Sequence, residues 1–143
     1  MTARSERGER GQVTFLGVGL AIGLLMIGGI SIDLWRVLAA RRALAERADA
    51  AAAAGANGID VARYRNRGEL RLDPDRAVAF AADSLRRQVD VGRPPSVTRL
   101  DADADHVVVG LRGEVELTLL RLFTLDEPIA VSVTAEAVPV RGP

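Results

Sequence analysis

The chain has 143 residues, with 19 basic and 19 acidic side chains and no formal net charge. Cysteine is absent and His106 is the single histidine, which excludes a disulfide framework, a thiolate nucleophile and a multi-histidine metal centre. Balanced charge gives no general attraction to nucleic acid or anionic lipid, and the length supports one modest domain.

Residues 1–12 are polar, with Arg4, Arg7 and Arg10 interleaved with Glu6 and Glu9, and read as a disordered tail. Residues 13–32 then carry no charged side chain. A helix needs about 20 apolar residues to cross a bilayer core, so this run is the length of a membrane helix. Two other readings compete. A cleaved secretory signal has an apolar core of about 7–15 residues and a small-residue cleavage site. This run is longer and is followed by Asp33, Leu34, Trp35 and Arg36. A buried soluble helix, apolar all round, needs a large protein about it.

Helix-forming residues continue past the run. Residues 33–54 contain no Gly or Pro and are rich in Ala, Leu and Arg, strong helix formers. Leu34, Val37, Leu38 and Leu44 fall close to one stripe of this outer half, and Arg36, Arg41, Arg42, Glu46, Arg47 and Asp49 cover much of the rest. The Ala-rich residues 50–54 have little to bury unless they pack closely on another surface. Gly55 ends the helix, with Asn57 and Gly58 as a left-handed stop signal.

Residues 59–72 form a connector, with a turn of helix at 61–64 and a turn at Asn66, Arg67 and Gly68. Asp73, Pro74 and Asp75 make a helix start: a capping acid, a proline suited to the first position, and an acid at the positive end of the dipole. Val78, Ala81, Ala82, Leu85 and Val89 recur at helical spacing, with Phe80 nearby. Gly92, Pro94 and Pro95 close that helix. Strand-like runs follow at 96–101, 106–117 and 129–140, with an acidic turn at 102–105. Residues 119–126 fit either a bulged strand extension or a short helical turn. The expected fold is α+β: a long N-terminal transmembrane helix extending out of the membrane, then a helix packed on a small, mainly antiparallel sheet of about three strands. The corresponding division is a tail at 1–12, a membrane helix at 13–32, a helical extension and stop at 33–58, and a small α+β domain at 59–143.

No catalytic, cofactor-binding or metal-binding set can be named. Asp101, Asp103 and Asp105 alternate as in a calcium loop, yet an EF-hand needs Gly at the sixth and Glu at the twelfth position, where this chain has His106 and Arg112. The acids therefore read as a solvated hairpin turn and His106 as a surface residue. No phosphate-binding Gly loop, nucleophile elbow or zinc-protease motif occurs. The features that remain concern the membrane. Gly19 and Gly23 have the spacing that lets two membrane helices approach closely. Asp33 stands at the membrane edge, where it reaches water and can pair with Arg36, or meet a partner's cation. Trp35 at the same level reads as an interfacial anchor.

The first 56 residues carry a pattern: Arg10-Gly11-Gln12 before the apolar span, Asp33 at its end, residues 36–44 (Arg-Val-Leu-Ala-Ala-Arg-Arg-Ala-Leu), then Ala48-Asp49-Ala50-Ala51-Ala52 running into Ala54-Gly55-Ala56. This resembles the N-terminal membrane region of the TadE/TadG-like proteins of Flp (tight adherence) pilus assembly, especially the TadG-like branch. The resemblance implies a single-pass envelope protein without enzymatic activity or cofactor. It would be an accessory or minor structural component of a pilus or related secretion-like machine, meeting other assembly proteins or pilins through helix packing. It also implies an N-terminus in the cytoplasm and the C-terminal domain outside; arginine counts on the two flanks do not decide orientation. Prepilin-type cleavage after Gly11 would place Leu16 where that processing expects Glu, which favours an uncleaved chain. The alternative function is a secreted or membrane-anchored extracytoplasmic binding module unrelated to pili. Neither reading involves nucleic acid or a small-molecule substrate.

Overall fold

The computed structural model describes residues 6–88, 94–118 and 128–140, with side chains from residue 13 onward. The elements in order are α1 (Glu6–Ala56), α2 (Val61–Arg67), α3 (Pro74–Arg87), β1 (Ser96–Ala102), β2 (Val107–Val115) and β3 (Ile129–Ala137). The fold is α+β, with the three strands in one antiparallel sheet of order β1-β2-β3.

Helix α1 runs 51 residues without a break, about 75 Å at 1.5 Å per residue. It begins at Glu6, within the stretch expected to be a tail. Its two halves have different surroundings. Side chains 13–32 are exposed almost throughout, and the space beside Gly17, Gly19, Gly23 and Gly28 is open. From Asp33 onward one face is buried: Val37 partly, then Leu44, Ala48, Ala51 and Ala52. These positions share a face because residues three and four apart do so on a helix. The expected stripe differs: Leu34 and Leu38 are 57% and 48% exposed. The alanines carry the contact instead, because a small side chain lets α3 and the sheet approach the α1 backbone.

That approach also explains the end of α1. Gly58 does not adopt the left-handed conformation expected of it; among the described glycines Gly68 alone does, at φ 68°. A Cβ on Gly58 would lie 2.6 Å from the nitrogen and 2.7 Å from the Cα of Ala77, so glycine is required there by space. A Cβ on Gly55 would meet Val107 Cγ1 at 2.9 Å and the Ala77 carbonyl at 3.1 Å. The last turn is finished by Asn57, whose side-chain amide donates to the Ala53 carbonyl at 3.0 Å.

The connector is tied on both sides. Asp60 caps α2 by accepting from Arg63 N at 3.0 Å, and Gly68 ends that helix with its N–H on the Tyr64 carbonyl. Ile59 and Leu72 form an isolated antiparallel bridge. Asp73 then caps α3 as expected, accepting from Arg76 N at 3.3 Å, with Pro74 in the first turn. Ala77 and Ala81 are the fully buried residues of α3, with Leu85 beside them, while Phe80 stays 44% exposed. Helix α3 ends at Arg87; Val89 and Gly92 lie outside the described residues.

The inner sheet face is built by alternation: Leu100 and Ala102 on β1, Val107, Val109 and Leu111 on β2, and Val131, Val133, Ala135 and Ala137 on β3. The register of β1 shifts between Val97 and Arg99, and the shifted residues fold over Gly110, whose Cβ would touch Thr98 Oγ1 at 2.8 Å. Two helices cover the inner face. The outer half of α1 lies over β2 and β3, and α3 sits beside it over β1. Sequence reasoning assigned that cover to α3 alone. Residues 33–56 therefore belong to the domain core, so the expected boundary at 58–59 separates no independent layer.

Candidate functional site

The direction of β2 sets up the most specific feature of the molecule. Val107 meets Gly55, Gly113 lies under Leu44 with the leucine methyls 3.7 Å from a Gly113 Cβ, and Thr118 reaches Asp33. Strand and helix thus run antiparallel along one another. The eleven steps from 107 to 118 span about 36 Å at 3.3 Å each. The helix covers about 33 Å between residues 33 and 55. The two lengths match, which is why Thr118 arrives at the level of Asp33.

Asp33 is fully buried and is the one charged side chain in the buried set among the described residues. Its Oδ1 accepts the backbone N–H of Thr118 at 2.9 Å. The Arg36 guanidinium donates to the Thr118 hydroxyl. Thr118 thus stands between Asp33 and Arg36. The expected interfacial acid reaching water is corrected: protein encloses it. Sequence reasoning singled out both residues, but a partner 85 positions away leaves no local signal. Trp35, on another side of the helix, is 70% exposed, as are Leu34 and Leu38 in smaller measure.

Gly19 and Gly23 lie within the exposed apolar half of α1, on a helix long and apolar enough to cross a membrane. Among the described residues, a Cβ placed at either would meet nothing within 4 Å beyond the helix's own backbone.

The opposite end of the domain is polar and self-satisfied. Asp103 accepts the backbone N–H groups of Asp105 at 2.7 Å and His106 at 2.9 Å. These bonds hold its carboxyl below the ordinary carboxylate value, that from Asp105 first. His106 Nδ1 lies 3.0 Å from Asp103 Oδ2, Asp105 pairs with Arg71, and Leu72 N donates to the Ala104 carbonyl at 2.9 Å. The acidic turn is a hairpin whose acids serve its own backbone and a neighbouring arginine. Among the described residues no group of three or more His, Cys, Asp or Glu side chains could hold a metal.

A groove of about 840 Å³ lies along the junction of α1 and α3. Ala43, Glu46, Ala50 and Ala54 of α1 and Phe80 and Arg87 of α3 are among the residues that line it. Sequence reasoning noted Phe80 beside the apolar face of α3 but not this groove, which forms only when the two helices meet.

The chain matches no family model, no curated protein and no solved structure.

Proposed function

We propose that this chain is a membrane-anchored, non-enzymatic accessory or minor structural protein of a Tad/Flp-type pilus-assembly system or a related secretion-like machine. Residues 13–32 anchor it in the cell membrane, the N-terminus faces the cytoplasm, and the α+β domain stands outside. The observation that supports this reading best is the continuity of α1 through Asp33. A single rigid rod joins the exposed apolar half to a half buried in the domain core. A force or contact on the membrane half is therefore transmitted to the domain without a flexible linker, which suits a part assembled through its helix. Gly19 and Gly23 are the positions at which another helix can come close, and Asp33, Trp35 and Arg36 mark the membrane edge.

The test is deletion of the gene in its native host, followed by electron microscopy of surface fibres and protease shaving of intact cells expressing the tagged chain. Loss or thinning of fibres, restored by the intact gene, with the domain shaved and the tail protected, supports the proposal. Normal fibres with an accessible domain would leave the second reading, an anchored binding module. The groove between α1 and α3 favours that alternative.

A further inference from the structure

We propose that the domain stands at the phospholipid headgroup surface with no intervening stalk, the sheet end marked by Thr118 and Ile129 nearest the bilayer and the 102–106 hairpin as the far tip. The inference rests on the reading of residues 13–32 as a membrane helix. The apolar run ends at Ile32, and the next residue, Asp33, is already fully enclosed by protein. An anchored domain held off by a stalk would leave several helix turns bare between the apolar run and the first domain contact. Here no such turn exists, because Thr118 bonds Asp33 itself. The pairing of Val115 with Ile129 brings the start of β3 to the same end, and the pairing of Val107 with Ala137 sends its other end away. The exposed Trp35 and Arg36 stand at this level on α1, an indole suited to the headgroup zone and a cation suited to its phosphates. The far tip carries Asp103, Asp105 and Arg71, and lies about 33–36 Å farther along the helix and strand. The near end of the domain is thus continuous with the membrane helix, and the polar hairpin is the end farthest from the bilayer.

The absence of cysteine makes the test direct. Ala130→Cys at the near end and Ala104→Cys at the tip are each labelled with a fluorophore in the full-length chain. The labelled chains are reconstituted in phosphatidylcholine vesicles that carry a headgroup-attached quencher. Ile129→Cys is a second near-end variant, should Ala130→Cys disturb the sheet. Flotation with the vesicles is measured on the same samples, and Trp35 is the only tryptophan and serves as the internal reference. The expected result is flotation with quenching several-fold stronger at 130 or 129 than at 104. Flotation with equal quenching at both ends, or none at either, overturns this inference and leaves the membrane helix standing. Failure to float overturns both.

Discussion

The backbone N–H of Thr118 donates to Asp33 Oδ1 at 2.9 Å, across 85 positions of sequence. With the Arg36 guanidinium on the Thr118 hydroxyl, this bond ties the lower end of the domain to the helix that carries it. The first prediction is that Asp33→Ala costs about 0.5–1.5 kcal/mol, the net worth of an intramolecular hydrogen bond whose donor water can reach once the carboxylate is gone. Asp33→Asn retains an acceptor and costs less. Thermal unfolding in detergent micelles checks both. Equal melting temperatures for the intact chain and Asp33→Ala would show that the bond adds nothing to stability.

The glycines at the upper end are ranked by what their missing Cβ would strike. At Gly58 the obstacle is the Ala77 backbone, which cannot rotate away; at Gly55 it is partly a valine methyl. Gly58→Ala is therefore more damaging than Gly55→Ala, with overpacking of about 1–3 kcal/mol or more. Gly68→Ala meets no atom within 4 Å and suffers only its left-handed backbone, about 1–2 kcal/mol. Denaturant midpoints of the three variants give the order directly. A Gly58→Ala protein as stable as Gly68→Ala would contradict the close approach of α1 to α3.

The 102–106 hairpin has a defined response to acid. The Asp103 carboxyl is held below its ordinary value by the N–H groups of Asp105 and His106. Its ionised form is thus the one the fold favours. The stabilisation is complete above the unfolded-chain pKa and is lost as pH falls through the lower folded-state pKa. A carboxyl-carbon NMR titration should show Asp103 with a midpoint below that of the same residue in urea. Asp103→Asn should remove this part of the acid dependence. A midpoint equal to or above the unfolded value would mean the two backbone bonds are not made in solution.

What the sequence made legible follows the range of the interaction. The start of α3 was readable because Asp73 and Pro74 act within one turn, and the strands were readable because alternation is a period of two. The outer half of α1 was readable as helix, but its buried face was misassigned: leucines attract attention, whereas Ala48, Ala51 and Ala52 fill the contact because close backbone approach needs small residues. Gly58 was misread for the same reason, as a turn signal when its cause is Ala77. The pairing of Thr118 with Asp33 depends on strand and helix having matching lengths along one another, which becomes visible only once β2 is placed. Residues 119–126, for which strand extension and helical turn both fit the pattern, lie outside the described residues.

The exposed apolar half of α1 yields the last prediction. Among the described residues, a Cβ at Gly19 or Gly23 meets nothing within 4 Å beyond the helix's own backbone. Replacing either by Leu therefore leaves the domain unchanged, within about 0.5 kcal/mol for a site that touches nothing. Close approach of a second membrane helix along this face depends on small side chains, which let two backbones come together. Gly19→Leu and Gly23→Leu should then reduce cross-linked adducts formed in native membranes, while the melting temperature of the domain stays that of the intact chain. Leu25→Ala, elsewhere on the apolar half, serves as the control and should leave the adducts in place. Adducts that persist in both glycine variants would rule out this face as the packing surface. A fall in melting temperature would show instead that the substitutions disturb the helix, and the paired measurement separates the two outcomes.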